Sequence, residues 1–355
     1  MGESIMNSKI RWALIGIGKF SNLRGGYNAI AYAHAEGIKR NSDKFELVAG
    51  ASLEQQNLDD FKREYPCNTY LDMNELLQTE KPDGVTISTY APAREEHVLA
   101  AIRAGVKYVF VEKPLALSFA AMQNMKSEAE KYGARLFVNF QRRYGKPFEW
   151  ARETALSGKI GKVYQVDLYQ PFSNLLDFGP HFINSALYFL DNPEPLSVVA
   201  AADEEGQNPW HGMFVEKRMD ATVYFKNDVR FNVTASPDNS MESPLIRING
   251  DKGFVELYMG KKEGMQSVFC RMTADGYENP ACDENFHHGD TDKYLYFERC
   301  YADIANAVET NAPSRVDFEN GMLTQEILLA IYSSAQNGKR VSFSEKITEP
   351  VFKFS

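Results

Sequence analysis

The sequence predicts an α/β protein of two domains: a doubly wound parallel sheet, then an α+β region with a large, mostly antiparallel sheet. Three observations carry this. Apolar, β-branched runs alternate with helical stretches from Ile10 to Phe140, the pattern of βαβ units. The first run passes straight into Gly16-x-Gly18, where glycines allow a tight turn and a close approach of backbone to a pyrophosphate. After Phe140 the alternation stops, and strand follows strand through short Gly, Asn or Asp turns. At 355 residues the chain is long for one core, so two domains are the default. The boundary is expected at residues 1–143 against 144–355.

Composition narrows the class. Hydrophobic content of 44% and charged content of 25% are those of an ordinary globular protein. A formal net charge of -9 disfavours a nucleic-acid partner. No apolar run is long enough to cross a bilayer, and Met1 to Lys9 has no signal-peptide core, so a cytoplasmic protein is expected. Cys67, Cys270, Cys282 and Cys300 are scattered, with no Cys-x-x-Cys, and neither a disulfide framework nor a zinc site is indicated.

The elements follow in order. The strand from Ile10 leads through the glycine turn to a helix rich in Ala, ending near Arg40. The third glycine position of G-x-G-x-x-G is Ser21, and Asn22 to Tyr27 resembles an insertion. Phe45 to Ala51 is a second strand. A NAD-binding unit carries Asp or Glu at its end for the ribose 2′-hydroxyl; here the position is Ser52, with Glu54 two residues on. A hydroxyl suits a 2′-phosphate, yet no Arg or Lys stands beside it, so NAD and NADP both stay open. Helices over 54–65 and 73–79 precede a buried strand, Gly84 to Thr89. The helix from Arg94 ends at Gly105, a stop signal. Then comes Val109-Phe-Val-Glu-Lys-Pro114, a strand apolar on both faces that ends in a charged pair. Lys113 sits at the carboxyl end of that strand, where open α/β sheets place ligands. A surface Lys–Glu pair is the plain alternative. A helix over 118–132 and a strand from Arg135 to Phe140 complete the first domain.

The second region begins with Gln141-Arg-Arg-Tyr144 and an amphipathic helix at 147–157. Val163 to Tyr169 alternates as a strand with one buried face. Further strands are expected at 196–202, 218–226, 228–235, 244–249 and 253–258, with helices at 291–310 and 320–337. Between the first two strands lies Asp177-Phe-Gly-Pro-His181-Phe-Ile-Asn184. Gly179-Pro180 marks a helix start. With helical geometry extended back to Asp177, Asp177 and His181 share a face and Asn184 lies near them. A carboxylate beside an imidazole can orient it and steady its charged form, which is a proton relay. The alternative is a capping Asp and a core His. His287-His288 with Asp290 and Asp292 reads as a polar loop rather than a metal site, and no metal is expected. His34 and His97 read as packing or surface residues. Trp210 to Met213 falls in a loop that can line a pocket.

Gly16-x-Gly18, Glu112-Lys113-Pro114 and Asp177-x-Gly179-x-His181, in this order, resemble the glucose-fructose oxidoreductase / inositol dehydrogenase / MocA family over almost the whole chain. The resemblance implies a Rossmann domain followed by an α+β substrate and oligomerisation domain. It implies NAD or NADP as cofactor, with Gly16, Gly18, Lys19 and Phe20 around the pyrophosphate. Ser52, Thr89, Tyr90 and Arg142 are further cofactor contacts, and Glu112 braces the strand end or the ribose. Lys113 meets the nicotinamide ribose and the reacting hydroxyl. His181 is the general acid/base with Asp177 as its partner, and Asn184 stands where many members carry a second Asp. Tyr90 and Ala91 replace the family's Pro and Asn, and its following His falls on Arg94, so His97 is not expected to inherit that role.

The implied activity is hydride transfer between a nicotinamide and a secondary alcohol of a sugar, sugar derivative or cyclitol. Two alternatives are a tightly held nucleotide used for net non-redox sugar chemistry, and a non-catalytic sensing member. The resemblance also implies a homodimer or homotetramer through the C-terminal sheet.

Overall fold

The computed structural model of the protein describes residues 8–18, 20–21, 26–27, 30–203, 209–210, 213–238, 244–259, 265–273, 276–278, 292 and 294–353. The chain folds as two units: residues 1–141 with 293–322, and residues 142–292 with 323–355.

In the first unit, β1 (Ile10–Ile15), β4 (Phe45–Ala51), β5 (Asn68–Tyr70), β6 (Gly84–Ile87), β7 (Tyr108–Val111) and β8 (Arg135–Val138) form one sheet. Its order is β5-β4-β1-β6-β7-β8, parallel throughout. A small antiparallel pair, β2 (Phe20–Ser21) and β3 (Gly26–Tyr27), follows the glycine turn. The crossover helices are α1 (Ile30–Arg40), α2 (Gln55–Glu64), α3 (Met73–Glu80), α4 (Ala91–Arg103) and α5 (Phe119–Tyr132). Strand order reverses between β1 and β6, the crevice where such sheets bind ligands. Val109, Phe110 and Val111 are fully buried, as a central parallel strand requires. Trp12 is also fully buried and lies edge-on to Phe45 and Tyr301. Its ring covers Gly84, where a Cβ would fall 2.3 Å from it.

The helix Leu295–Thr310 belongs to this unit. Residues 293–322, within the stretch expected for the second domain, pack with the first sheet. Arg135 donates to the carbonyls of Ala307 and Ala312 and to Asp317, and the Val138 amide donates to Val316. These are contacts across more than a hundred residues, which local patterning does not carry.

The second unit opens with a 3₁₀ turn, Gln141–Tyr144, and α6 (Lys146–Leu156). Its main strands are β9 (Val163–Gln170), β10 (Pro195–Ala202), β13 (Met219–Phe225), β14 (Arg230–Ala235), β15 (Leu245–Gly250), β16 (Gly253–Met259), β17 (Met265–Thr273), β18 (Gly276–Glu278) and β19 (Val341–Ser342). Pro209–Trp210 and Met213–Phe214 form the short pair β11 and β12. The nine-stranded sheet runs β18-β17-β16-β15-β9-β14-β13-β10-β19. Only the β9–β14 pairing in it is parallel among the described residues. One cross-strand row is apolar and buried: Val198, Val223, Phe231, Val166, Ile248 and Val255. The adjacent row, on the other face, is Val199, Thr222, Asn232, Asp167, Arg247 and Glu256. Thr222 donates to Asn232, Asn232 to Asp167, and Arg247 to Glu256. Alternation with period two thus makes one face core and the other polar. Two helices complete the unit: α7 (Leu175–Phe189) and most of the C-terminal helix Phe318–Asn337. No helix among the described residues is long and apolar enough to cross a membrane.

Candidate active site

The first unit holds a cleft of about 620 Å³ at the carboxyl ends of β1, β4 and β6. Gly16, Gly18, Ser52, Thr89 and Tyr90 line it, as do Glu54, Asn57, Asp72, Glu96 and His97. Gly16 has φ +94° and packs against Thr89, which a Cβ would meet at 3.0 Å. Glycine here serves both the turn and the contact between strand ends. Ser52 closes β4; its Oγ accepts from the Glu54 amide and from Asn57 Nδ2, each at 3.4 Å. Asn57 also donates to Glu54 Oε2 at 3.3 Å. The charged groups of the described lining are thus carboxylates. His97, which the sequence assigns to packing or surface, lines the cleft and bonds Thr89 Oγ1 at 2.8 Å through Nδ1. Burial, helped by the Arg94 charge, pushes its pKa below the ordinary value, so the imidazole is neutral at neutral pH. Arg94 itself is 3% exposed and donates to the carbonyls of Thr89 and Pro114. Burial lowers its pKa to about 10.

Lys113 follows β7, and the Lys113–Pro114 peptide bond is cis. Glu112 is buried beneath it at 3% exposure. Its Oε1 meets His34 Nε2 at 2.9 Å and accepts from Asn139 Nδ2 at 2.6 Å; its Oε2 accepts from the Lys113 amide at 3.0 Å. Through these bonds the Glu112 carboxylate braces the strand end. Burial alone would raise this carboxyl. The hydrogen bond from His34, the Lys113 charge and the bond from Asn139 outweigh it, and its pKa lies below the ordinary value.

The other candidate residues lie on α7, in the second unit. The helix begins at Leu175, earlier than the Gly179-Pro180 signal suggests, and Pro180 lies inside it. Asn174, at φ 72°, caps it by accepting from the Asp177 amide at 3.1 Å. The Leu175 amide donates to Glu216 Oε1 at 2.5 Å, and Tyr332 donates to Glu216 Oε2 at 2.8 Å. Asp177 is in the first turn and His181 one turn further on the same face. His181 is 7% exposed and its carbonyl accepts from Ser185 Oγ. Asn184 is 1% exposed, and both ends of its amide are engaged, by Arg143 Nε at 2.7 Å and Thr324 Oγ1 at 2.9 Å. Asn184 thereby ties the 3₁₀ turn, α7 and the C-terminal helix together. Arg142 lies in this unit too, with its guanidinium 4.6 Å from the Phe182 ring and 3.5 Å from Met259 Sδ.

Lys19 lies outside the described residues, as does the Phe20 side chain. The same holds for His211, Gly212, His287, His288 and Asp290. The roles of His34, Tyr301 and Glu216 carry no local signal, because each reaches its partner across the fold.

A switch-point cleft with a glycine turn, joined in one chain to an α+β unit that carries a carboxylate–imidazole helix, defines a two-domain dinucleotide-dependent oxidoreductase. Residues 10–140 match the family described as oxidoreductase, NAD-binding Rossmann fold, and residues 169–343 match its C-terminal alpha/beta domain. The chain therefore belongs to the glucose-fructose oxidoreductase / inositol dehydrogenase / MocA family of NAD-binding oxidoreductases. It is 24% identical to the D-glucoside 3-dehydrogenase of Escherichia coli K12, over 96% of this chain and 99% of that one. It is 30% identical to the myo-inositol 2-dehydrogenase of Thermotoga maritima, over 47% of this chain and 51% of that one. Among solved structures, the WlbA dehydrogenase of Bordetella pertussis in complex with NADH and UDP-GlcNAcA superposes with a TM-score of 0.75 at 19% identity. That match covers 95% of this chain and 99% of the other.

Proposed function

We propose that the protein is an NAD-dependent dehydrogenase acting on a secondary alcohol of a sugar, sugar derivative or cyclitol. The observation that carries this is the presence in one chain of a switch-point cleft with Gly16 and Gly18, the strand end at Lys113, and the Asp177–His181 face of α7. The full-length likeness to a glucoside dehydrogenase supports a sugar as the substrate class.

The cleft fits a dinucleotide. Gly16 and Gly18 leave room for a pyrophosphate, and Ser52, Glu54 and Asn57 offer oxygens and an amide to a ribose. Glu54, Asp72 and Glu96 supply negative charge, and no Lys or Arg is in the described lining. A 2′-phosphate would meet repulsion there without a compensating cation, which supports NAD over NADP. The nicotinamide, when bound, supplies the hydride acceptor. His181 takes the proton of the substrate hydroxyl, Asp177 steadies the imidazolium that forms, and Lys113 holds the hydroxyl oxygen by a hydrogen bond.

Pairing of copies through the polar face of the nine-stranded sheet is part of the same proposal. Tyr169 and Val199 on that face are 36% and 43% exposed. Fluorescence titration with NADH and NADPH, followed by a panel of glucosides and cyclitols read at the nicotinamide absorbance, tests the reading. NADH binding with turnover of at least one panel member is the expected result; binding of neither nucleotide would remove it.

A further inference from the structure

Five buried side chains from five elements touch in series behind Lys113. Trp12 Nε1 on β1 donates to Thr86 Oγ1 on β6 at 2.9 Å. Thr86 Oγ1 lies 2.7 Å from the hydroxyl of Tyr301, on the helix Leu295–Thr310. The Tyr301 hydroxyl is 3.1 Å from His34 Nδ1 on α1, and His34 Nε2 is 2.9 Å from Glu112 Oε1. Trp12, Thr86, Tyr301 and His34 are fully buried, and Glu112 is 3% exposed.

The proton order follows from the donors and acceptors present. An indole nitrogen only donates, so Trp12 occupies a lone pair of Thr86. Among the described residues, Tyr301 is then the one acceptor within reach of the Thr86 hydroxyl proton. Having accepted from Thr86, Tyr301 directs its own proton to His34 Nδ1, which must be bare. The remaining ring proton sits on Nε2 and goes to Glu112. The reverse order would strand the Thr86 hydroxyl without an acceptor in the core, a cost buried polar groups rarely carry.

We propose that His34 donates from Nε2 to Glu112, and that the one-way chain Trp12, Thr86, Tyr301, His34 positions the Glu112 carboxylate, and through it the Lys113 backbone, for reaction. Thr86 and Tyr301 are thus positioning residues, far from any reacting atom. The groups that face Glu112 are His34, Asn139, the Lys113 amide and charge, and the charge of Arg94. Those that face His34 besides Glu112 and Tyr301 are the ring edges of Phe110 and Phe297. The helix that brings Tyr301 comes from residues 293–322, so its return to the first unit has a chemical purpose: it completes the chain.

The inference rests on Lys113 as the reacting lysine, and two measurements keep the claims apart. The first is long-range proton–nitrogen NMR of the full-length protein labelled with ¹⁵N-histidine. The His34 signal is assigned by its loss in His34→Gln or, should that variant not fold, by its shift in Tyr301→Phe. Protonated Nε2 with bare Nδ1 at pH 8 is expected; an Nδ1–H form overturns the chain. The second compares Thr86→Val with Thr86→Ser. The valine variant should lose about tenfold in kcat with NADH affinity unchanged, and serine should restore it. Wild-type kcat in Thr86→Val overturns the positioning role. Full turnover in Lys113→Met instead removes the reading of Lys113, while the NMR result still decides the chain.

Discussion

At the scale of single residues, charge decides what the cleft admits and how the protein responds to pH. Glu54 and the 84%-exposed Leu53 line the cleft beside Ser52. Leu53→Arg with Glu54→Gln should tighten NADPH binding at least about tenfold, about 1.4 kcal/mol, in a fluorescence titration; unchanged preference would contradict the repulsion argument. His97 gives a sign for pH. Burial lowers its folded pKa, so below an ordinary value of about 6.5 the unfolded chain takes up a proton that the native protein refuses. Stability is therefore full above that value and falls as pH drops toward the folded pKa. Glu112 acts in the same direction further down: its folded pKa is depressed, and its contribution is lost as pH falls below about 4.3. Urea midpoints from pH 8 to 5 should show the upper loss, and His97→Gln should flatten it. The Lys113 and His181 motifs were legible from local sequence because strand-end chemistry and helical spacing are local. His97 and Asn57 were not, since a cleft wall is shaped by three strands at once.

At the scale of elements, α7 shows where patterning runs out. Gly179-Pro180 looks like a helix start, because Pro suits a first turn. The helix instead starts at Leu175, since Asn174 and Glu216 satisfy its first amides. Glu216 lies 41 residues from Leu175, so no local signal can reveal it. Burial raises the pKa of this carboxyl, against the bonds from Leu175 and Tyr332. Removing it in Glu216→Ala strands Leu175 and Tyr332 in the core and should cost about 2–3 kcal/mol, measured by urea unfolding. Because α7 carries Asp177 and His181, kcat should fall as well. Glu216→Gln keeps an acceptor for Leu175 and should lose much less. A loss in the alanine variant under about 0.5 kcal/mol would show that the cap does not hold the helix.

At the scale of the whole molecule, the sequence pattern separates a parallel from a mostly antiparallel sheet because period and connection differ between them. It misses the return of 293–322 to the first unit, which depends on Arg135, Val138 and Trp12 meeting partners far along the chain. Linkage gives a global test of the cofactor: NADH at a hundred times its Kd should add about 2.7 kcal/mol to the unit that binds it, and NADPH at the same concentration much less. Light scattering at micromolar concentration should show more than one copy per particle if the polar sheet face pairs. The central claim is that Lys113 acts on the reacting hydroxyl while the cleft holds the nucleotide. Its most direct measurement is single-turnover hydride transfer by Lys113→Met beside its NADH affinity. The account predicts a rate lower by about a thousandfold with affinity within about threefold; a wild-type rate in that variant would contradict it.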